Sequence, residues 1–233
     1  MDLPADRTDQ GGRPGSGLRA DAERNRERIL AAARRLYASH GLGVSMAQIA
    51  REAGVGKATL SRRFATREEL VNAVFADRMN AYAAAVAEAL ADPDPWHGFV
   101  RFIRAICAMQ AADRGFAEVL TMSFPASKAL EKRRDEAFEC FLALIDRAKA
   151  TGRLRDDFDH RDLVILLMAN AGVIAATGDA APDAWRRLVG QMLRAYAAPG
   201  AELPPLDPPP APTALYRAMV RLARGSGRGG DGE

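Results

Sequence analysis

The chain has little of several things, and each shortage removes a class of protein. It has two cysteines, Cys107 and Cys140, in no CxxC pair, which argues against a disulfide-stapled scaffold or a zinc ribbon. Both read as small buried apolar groups rather than a redox pair. The three histidines, His40, His97 and His160, are far apart, and there is no HExxH, GxSxG or phosphate-loop signature. The chain therefore does not read as an enzyme, and neither a cofactor nor a metal is expected. The longest charge-free apolar stretch, Leu163 to Thr177, falls short of the ~20 residues a spanning helix needs. The N-terminal sequence MDLPADRTDQGG has no apolar signal core. The expectation is a soluble cytoplasmic protein with no membrane partner. No segment alternates apolar and polar residues with β-branched enrichment, so strands are not supported.

What is present is an ordinary globular composition over 233 residues, 48% hydrophobic and 27% charged, enough for one or two domains. The net charge of +3 says little as a total. Its distribution says more, because residues 1–70 carry 13 basic and 9 acidic side chains while the rest of the chain is nearly balanced. Residues 1–20 read as a disordered tail. Residues 199–233 form a Pro/Gly-rich C-terminal tail, with a short amphipathic helix possible near Thr213 to Arg224 and no role beyond flexibility. The body between reads as helix after helix, an all-α fold. A first helix near Ala22–His40 stops at Gly41. A short second starts at its cap Ser45, a third covers Lys57–Phe64, and Thr66 with Glu69 opens a long fourth. Asp92-Pro-Asp-Pro breaks the chain. Further helices are expected near 96–112, 115–122, 126–151, 160–178 and 182–198.

The informative segment is 45–64, SMAQIAREAGVGKATLSRRF. Counted from Met46, the fifth residue, Ala50, is small enough for two helices to cross closely. The ninth, Gly54, suits a turn of positive φ, and the fifteenth, Leu60, packs the second helix on the first. This is the requirement for presenting a helix to a major groove. With Leu60 inward, Phe64 also faces the core, while Ala58 and Arg62 point away, flanked by Thr59 and Ser61. Arg62 suits bidentate contact with guanine, Thr59 and Ser61 bases or phosphates, and Ala58 a thymine methyl. Lys57, Arg63 and Arg67 are better placed for phosphates, and Ser45 with its helix amides offers another phosphate contact. A helical hairpin with a merely solvated basic face is the bland alternative. Spacing, caps and charge together favour DNA.

These residues resemble the N-terminal domain of the TetR family, the tetracycline-repressor-like regulators. The resemblance covers about 26–75: Ile29, Ala32-Ala33, Leu36 and Gly41, then Ser45, Ile49-Ala50 and Ala53-Gly54-Val55. Thr59-Leu60, Phe64, Arg67, Glu69-Leu70 and Val74-Phe75 complete it. Three positions depart: Ala58, Ser61 and Arg63 stand where the family usually has Gly, an aromatic and His. The resemblance implies a homodimeric repressor of transcription with a C-terminal helical domain that binds an inducer. The domains would be a DNA-binding unit at 21–66 and a ligand-binding and dimerisation unit at 67–198.

The C-terminal half resembles the family only loosely, in 152–173 and 184–196. Its composition agrees with self-association. The helix expected at 160–178 is apolar around nearly its whole circumference, and the one at 182–198 carries a stripe of Trp185, Leu188, Val189, Met192, Leu193 and Tyr196. Two such helices from each subunit suit a four-helix interface. An unknown small-molecule inducer would find apolar walls in Met79, Tyr82, Phe99, Phe102, Ile103, Met122 and Phe138, a set that serves a packed core equally well. Asn170, the lone amide in an apolar run, is either an interface hydrogen bond or a ligand contact, with the interface favoured. A ligand-independent or architectural DNA-binding protein is the alternative function.

Overall fold

A computed structural model describes residues 15–121 and 128–226. All its regular elements are helical: α1 (Gly15–His40), α2 (Met46–Glu52), α3 (Lys57–Arg63), α4 (Arg67–Leu90), α5 (Pro95–Ala112), α6 (Arg114–Thr121), α7 (Lys128–Ala150), α8 (His160–Thr177), α9 (Ala184–Tyr196) and α10 (Pro212–Ser226). A 3-10 turn, Gly178–Ala180, joins α8 to α9. Extended pairing among the described residues amounts to one isolated bridge, Leu154 with Ala197.

The caps explain several boundaries. Ser45 Oγ accepts from the Gln48 amide at 3.3 Å, and Gln48 Oε1 accepts from the Ser45 amide at 2.9 Å, a reciprocal capping box. At α4, Thr66 Oγ1 accepts from the Glu69 amide, but the Glu69 carboxylate reaches back one residue further, to the Ala65 amide at 2.8 Å. Asp94 accepts from both Trp96 and His97 amides and Pro95 opens α5, so the Asp-Pro-Asp-Pro break is also a helix start. The first helix begins earlier than its apolar periodicity indicates. Residues 15–20, expected in the tail, continue α1.

The long α4 joins the three N-terminal helices to the rest. Its Leu70, Val74, Tyr82 and Val86 are buried at four-residue intervals, while Arg78 pairs with the buried Asp113 at 3.2 Å. Tyr37, Phe75 and Phe116 form an aromatic column through α1, α4 and α6, with ring centroids 5.9 and 6.1 Å apart. Gly115 lets α6 approach α1 this closely, since a Cβ there would stand 2.9 Å from Phe75 and from Tyr37.

Two further regions differ from expectation. Residues 199–212 are held against the body by arginine donors: Arg104 to Pro205 O at 2.7 Å, Arg194 to Pro204 O at 2.9 Å and Arg187 to Asp207 O at 2.7 Å. Proline lacks an N–H, so such a stretch offers carbonyls with no ladder of its own to fill them. The helix after it, α10, lies against α8, where Arg221 donates to Ala176 O at 3.1 Å. Second, α8 with its 3-10 turn forms a continuous stretch, His160–Ala180, of 21 residues, within which an 18-residue window has a mean hydropathy of 1.7. Length and composition alone would let it cross a membrane, contrary to the shorter count from sequence. Its inner face packs within this fold through Leu163, Leu166, Leu167 and Asn170.

Candidate nucleic-acid interface

The turn between α2 and α3 forms as the spacing requires. Gly54 has φ +61°, its amide donates to Arg51 O at 3.0 Å, and the Val55 amide donates to Ala50 O at 3.0 Å. Arg28 of α1 donates to the Gly54 carbonyl at 3.0 Å, tying the turn to the first helix. Leu60 is fully buried and Phe64 nearly so, fixing the rotation of α3.

That rotation leaves Lys57, Ala58, Ser61, Arg62 and Arg63 exposed and Thr59 half-buried, all on a helix of seven residues. Arg35 of α1 engages Glu52, the one acid between 45 and 67, at 2.9 Å, so the outward face of α3 keeps its positive charge. Ser45 is exposed at the start of α2 with its hydroxyl donating to Gln48 Oε1, within the capping box. Arg67 is placed differently from the others. Its Nε is buried, and its guanidinium lies beside the buried Tyr37 hydroxyl. Burial pushes the Tyr37 phenol up from its ordinary pKa, and the nearby Arg67 charge partly opposes that.

In the C-terminal half, most of the side chains expected to wall a cavity are buried against one another. Met79, Tyr82, Phe99, Phe102 and Ile103 are all buried. Tyr82 contacts Phe102, Phe102 contacts Phe141, and Phe99 meets Phe158 edge-on at 5.2 Å. Phe138 stands apart, 39% exposed and edge-on to His160. Met122 lies outside the described residues. Burial pushes the Cys107 thiol up to about 12 and the Tyr82 phenol likewise, so both stay neutral at physiological pH.

Asn170 is fully buried inside the subunit rather than on an outer face. Its Nδ2 donates to Gln110 Oε1 at 2.9 Å and to Cys107 O at 3.3 Å, and Gln110 Nε2 donates to Leu167 O. Asn170 Oδ1 has no partner, which is costly for a buried acceptor. Gln110 also lines a recess of about 440 Å³ between α1, α5, α6 and α8, whose other walls include Ala111, Arg114, Ala117, Glu118 and Ile174. Sequence reasoning missed this recess because alanines form much of it, and alanine carries no signal. Glu118 links it to the N-terminal helices, since its Oε2 accepts from the Leu42 amide at 2.6 Å just beyond α1.

The faces expected to associate are unequal. On α9, Trp185, Val189, Leu193 and Tyr196 turn into the subunit's own core, leaving Leu188 and Met192 half-buried. On α8, Val164, Ile165 and Met168 are 46%, 61% and 63% exposed.

A three-helix unit presenting its basic third helix across a tight glycine turn defines a helix-turn-helix DNA-binding protein. The profile described as bacterial regulatory proteins of the tetR family matches residues 29–74. That of the SbtR-like transcriptional regulator C-terminal domain matches residues 94–194. The TetR transcription regulatory protein of Mycobacterium vanbaalenii is 36% identical over 67% of this chain and 96% of its own, with TM-score 0.39. The repressor SmeT of Stenotrophomonas maltophilia is 18% identical over 82% of this chain and 100% of its own, with TM-score 0.56. AmtR of Mycobacterium smegmatis is 18% identical over 91% and 97%, with TM-score 0.55. The last two likenesses show the fold alone. The chain belongs to the TetR family and is a DNA-binding transcriptional regulator.

Proposed function

We propose that the protein is a dimeric repressor that leaves its operator when a small molecule binds its C-terminal half. Residues 21–66 act as the DNA-binding unit and 67–198 as the ligand-binding and dimerisation unit. On DNA, Arg62 reads a guanine edge from the major groove, Thr59 and Ser61 meet bases or phosphates, and Ala58 meets a thymine methyl. Lys57, Arg63, Arg67 and the Ser45 end of α2 hold the backbone.

The observation that carries the dimer is the exposed Val164, Ile165 and Met168 face of α8. Two copies of that face, with α9 beside it, suit a four-helix contact. Six such side chains, about half exposed beforehand, return on the order of 5–9 kcal/mol when buried. Association itself costs about 4–15 kcal/mol, so α8 supplies the centre of an interface and not the whole of it.

The inducer reading rests on the recess lined by Gln110, Arg114 and Glu118, with Gln110 in turn bonded to the buried Asn170. A ligand with an apolar body and a hydrogen-bond donor fits those walls. Filling the recess moves α6 and α4 and changes the separation of the two α3 helices. Successive major grooves lie ~34–36 Å apart, so a shift of a few ångströms ends simultaneous docking by population shift.

Titration of the protein against its own upstream DNA, with nonspecific competitor and at several salt concentrations, tests the reading. Tight, competitor-resistant binding with a steep salt slope, weakened by a metabolite, supports it. Specific binding insensitive to every compound screened would favour a ligand-independent DNA-binding protein.

A further inference from the structure

Among the described residues, nine large apolar side chains are exposed, and seven of them stand on α8 and α10. On α10, Tyr216 is 69% and Met219 67% exposed, more than any on α8. The two helices touch. Arg221 donates to Ala176 O, and Ala176 lies about 80° round α8 from Met168 at 3.6 residues per turn. That is the edge of the exposed α8 face, next to the exposed Ala169 and Gly172.

Around α10 itself the chemistry divides. Among the α10 side chains described, Ala218 is the buried one, against the body. From there, Leu215, Met219 and Tyr216 lie about 60°, 100° and 160° to one side, and Arg221 and Arg217 about 60° and 100° to the other. A 15-residue helix is near the length at which isolated helices are marginal. This one is nevertheless formed, at the end of a strap that three arginines of α5 and α9 hold in place.

We infer that α10 belongs to the subunit interface and that its Tyr216 and Met219 flank docks on a second copy of this chain. The inference rests on the α8 dimer proposed above and supplies what that face lacks. The α8 side chains alone roughly balance the cost of association. Adding α10 more than doubles the number of exposed large apolar side chains each subunit brings, from three to seven. In an isologous pair each α10 meets the partner subunit once, so every added side chain counts twice.

The test compares two variants of the full-length chain by sedimentation equilibrium across concentration. Tyr216→Glu with Met219→Glu is expected to raise the dimer dissociation constant at least tenfold with helicity unchanged. Ile165→Glu is expected to give monomer. A Tyr216→Ser, Met219→Ser pair serves if the acidic pair misfolds, and should weaken the dimer in the same direction. If Ile165→Glu dissociates the chain while both α10 pairs dimerise like the parent, the inference falls and the α8 reading stands. If Ile165→Glu leaves the dimer intact, the α8 reading falls and takes the inference with it. The other occupant of a basic, apolar helix is an anionic bilayer. Binding of the parent to phosphatidylserine vesicles, abolished in the acidic pair with dimerisation unaltered, would assign α10 to lipid and overturn the proposal.

Discussion

Helices α3 and α8 each leave a broad face in water, and they do so with opposite chemistry. The outer side of α3 is Lys57, Ala58, Ser61, Arg62 and Arg63, whereas that of α8 is Val164, Ile165 and Met168. Exposed charge is well solvated and needs no further account as structure. Exposed apolar surface is costly and does need one. The difference teaches that the face proposed to dock another copy is visible from energetics, while a docking face for DNA is visible only from geometry. What marks α3 is the glycine turn and buried Leu60 that aim it, together with the Arg35–Glu52 pair that removes the one acid nearby.

The largest effect on this contrast comes from beneath α3. Leu60→Ala empties a fully buried site and is expected to cost about 2–5 kcal/mol, measured by chemical denaturation, with DNA binding lost through folding. The α8 face and the dimer should outlast the N-terminal unit in the same titration. Next is Gly54→Val. A Cβ there would meet only the far end of Arg28, at 2.6 Å, so the penalty comes mainly from placing a β-branched residue at positive φ. The expected loss is about 1–3 kcal/mol. Unchanged stability and DNA affinity would break the assigned register.

Arg62→Ala separates the two faces most cleanly. Its specific DNA affinity should fall roughly ten- to hundredfold, as one bidentate base contact is worth about 1–3 kcal/mol. Unfolding and dimerisation should match the parent, and an unaltered affinity would mean that α3 is rotated differently on the groove. The smallest effect is expected where neither face is touched. Asp94 accepts from Arg153, which together with amides at the start of α5 holds its carboxyl below the ordinary aspartate range. A depressed carboxyl contributes stability that is complete above the ordinary value of about 3.9 and is lost as pH falls through the lowered one. Asp94→Asn retains a helix cap but not the charge. Its melting temperature should lie slightly below the parent's at neutral pH, and the gap should close in acid.

The DNA-binding unit was legible because its signals are local. Ser45, Gly54, Leu60 and Thr66 act within a few residues of themselves, so spacing alone predicts their places. The C-terminal half depends on distant partners. Arg104 reaches Pro205 across a sequence separation of 101, and no composition rule turns a proline-rich stretch into a fixed strap. Aromatic density pointed to core or cavity without choosing, and Phe99 and Phe102 are found buried against other rings. Asn170 looked like an interface amide because its neighbours are apolar, but the turn of α8 aims it at Gln110 instead. The stripe on α9 was real, and most of it faces inward.

The strap holds no lysine or arginine between Arg194 and Arg217. Trypsin therefore cannot sever the terminal helix at its tether; the first bond open to it beyond α9 is inside α10 itself. The rate of that one cut becomes a clock for how long α10 stays lifted from the body, readable by mass spectrometry without any label.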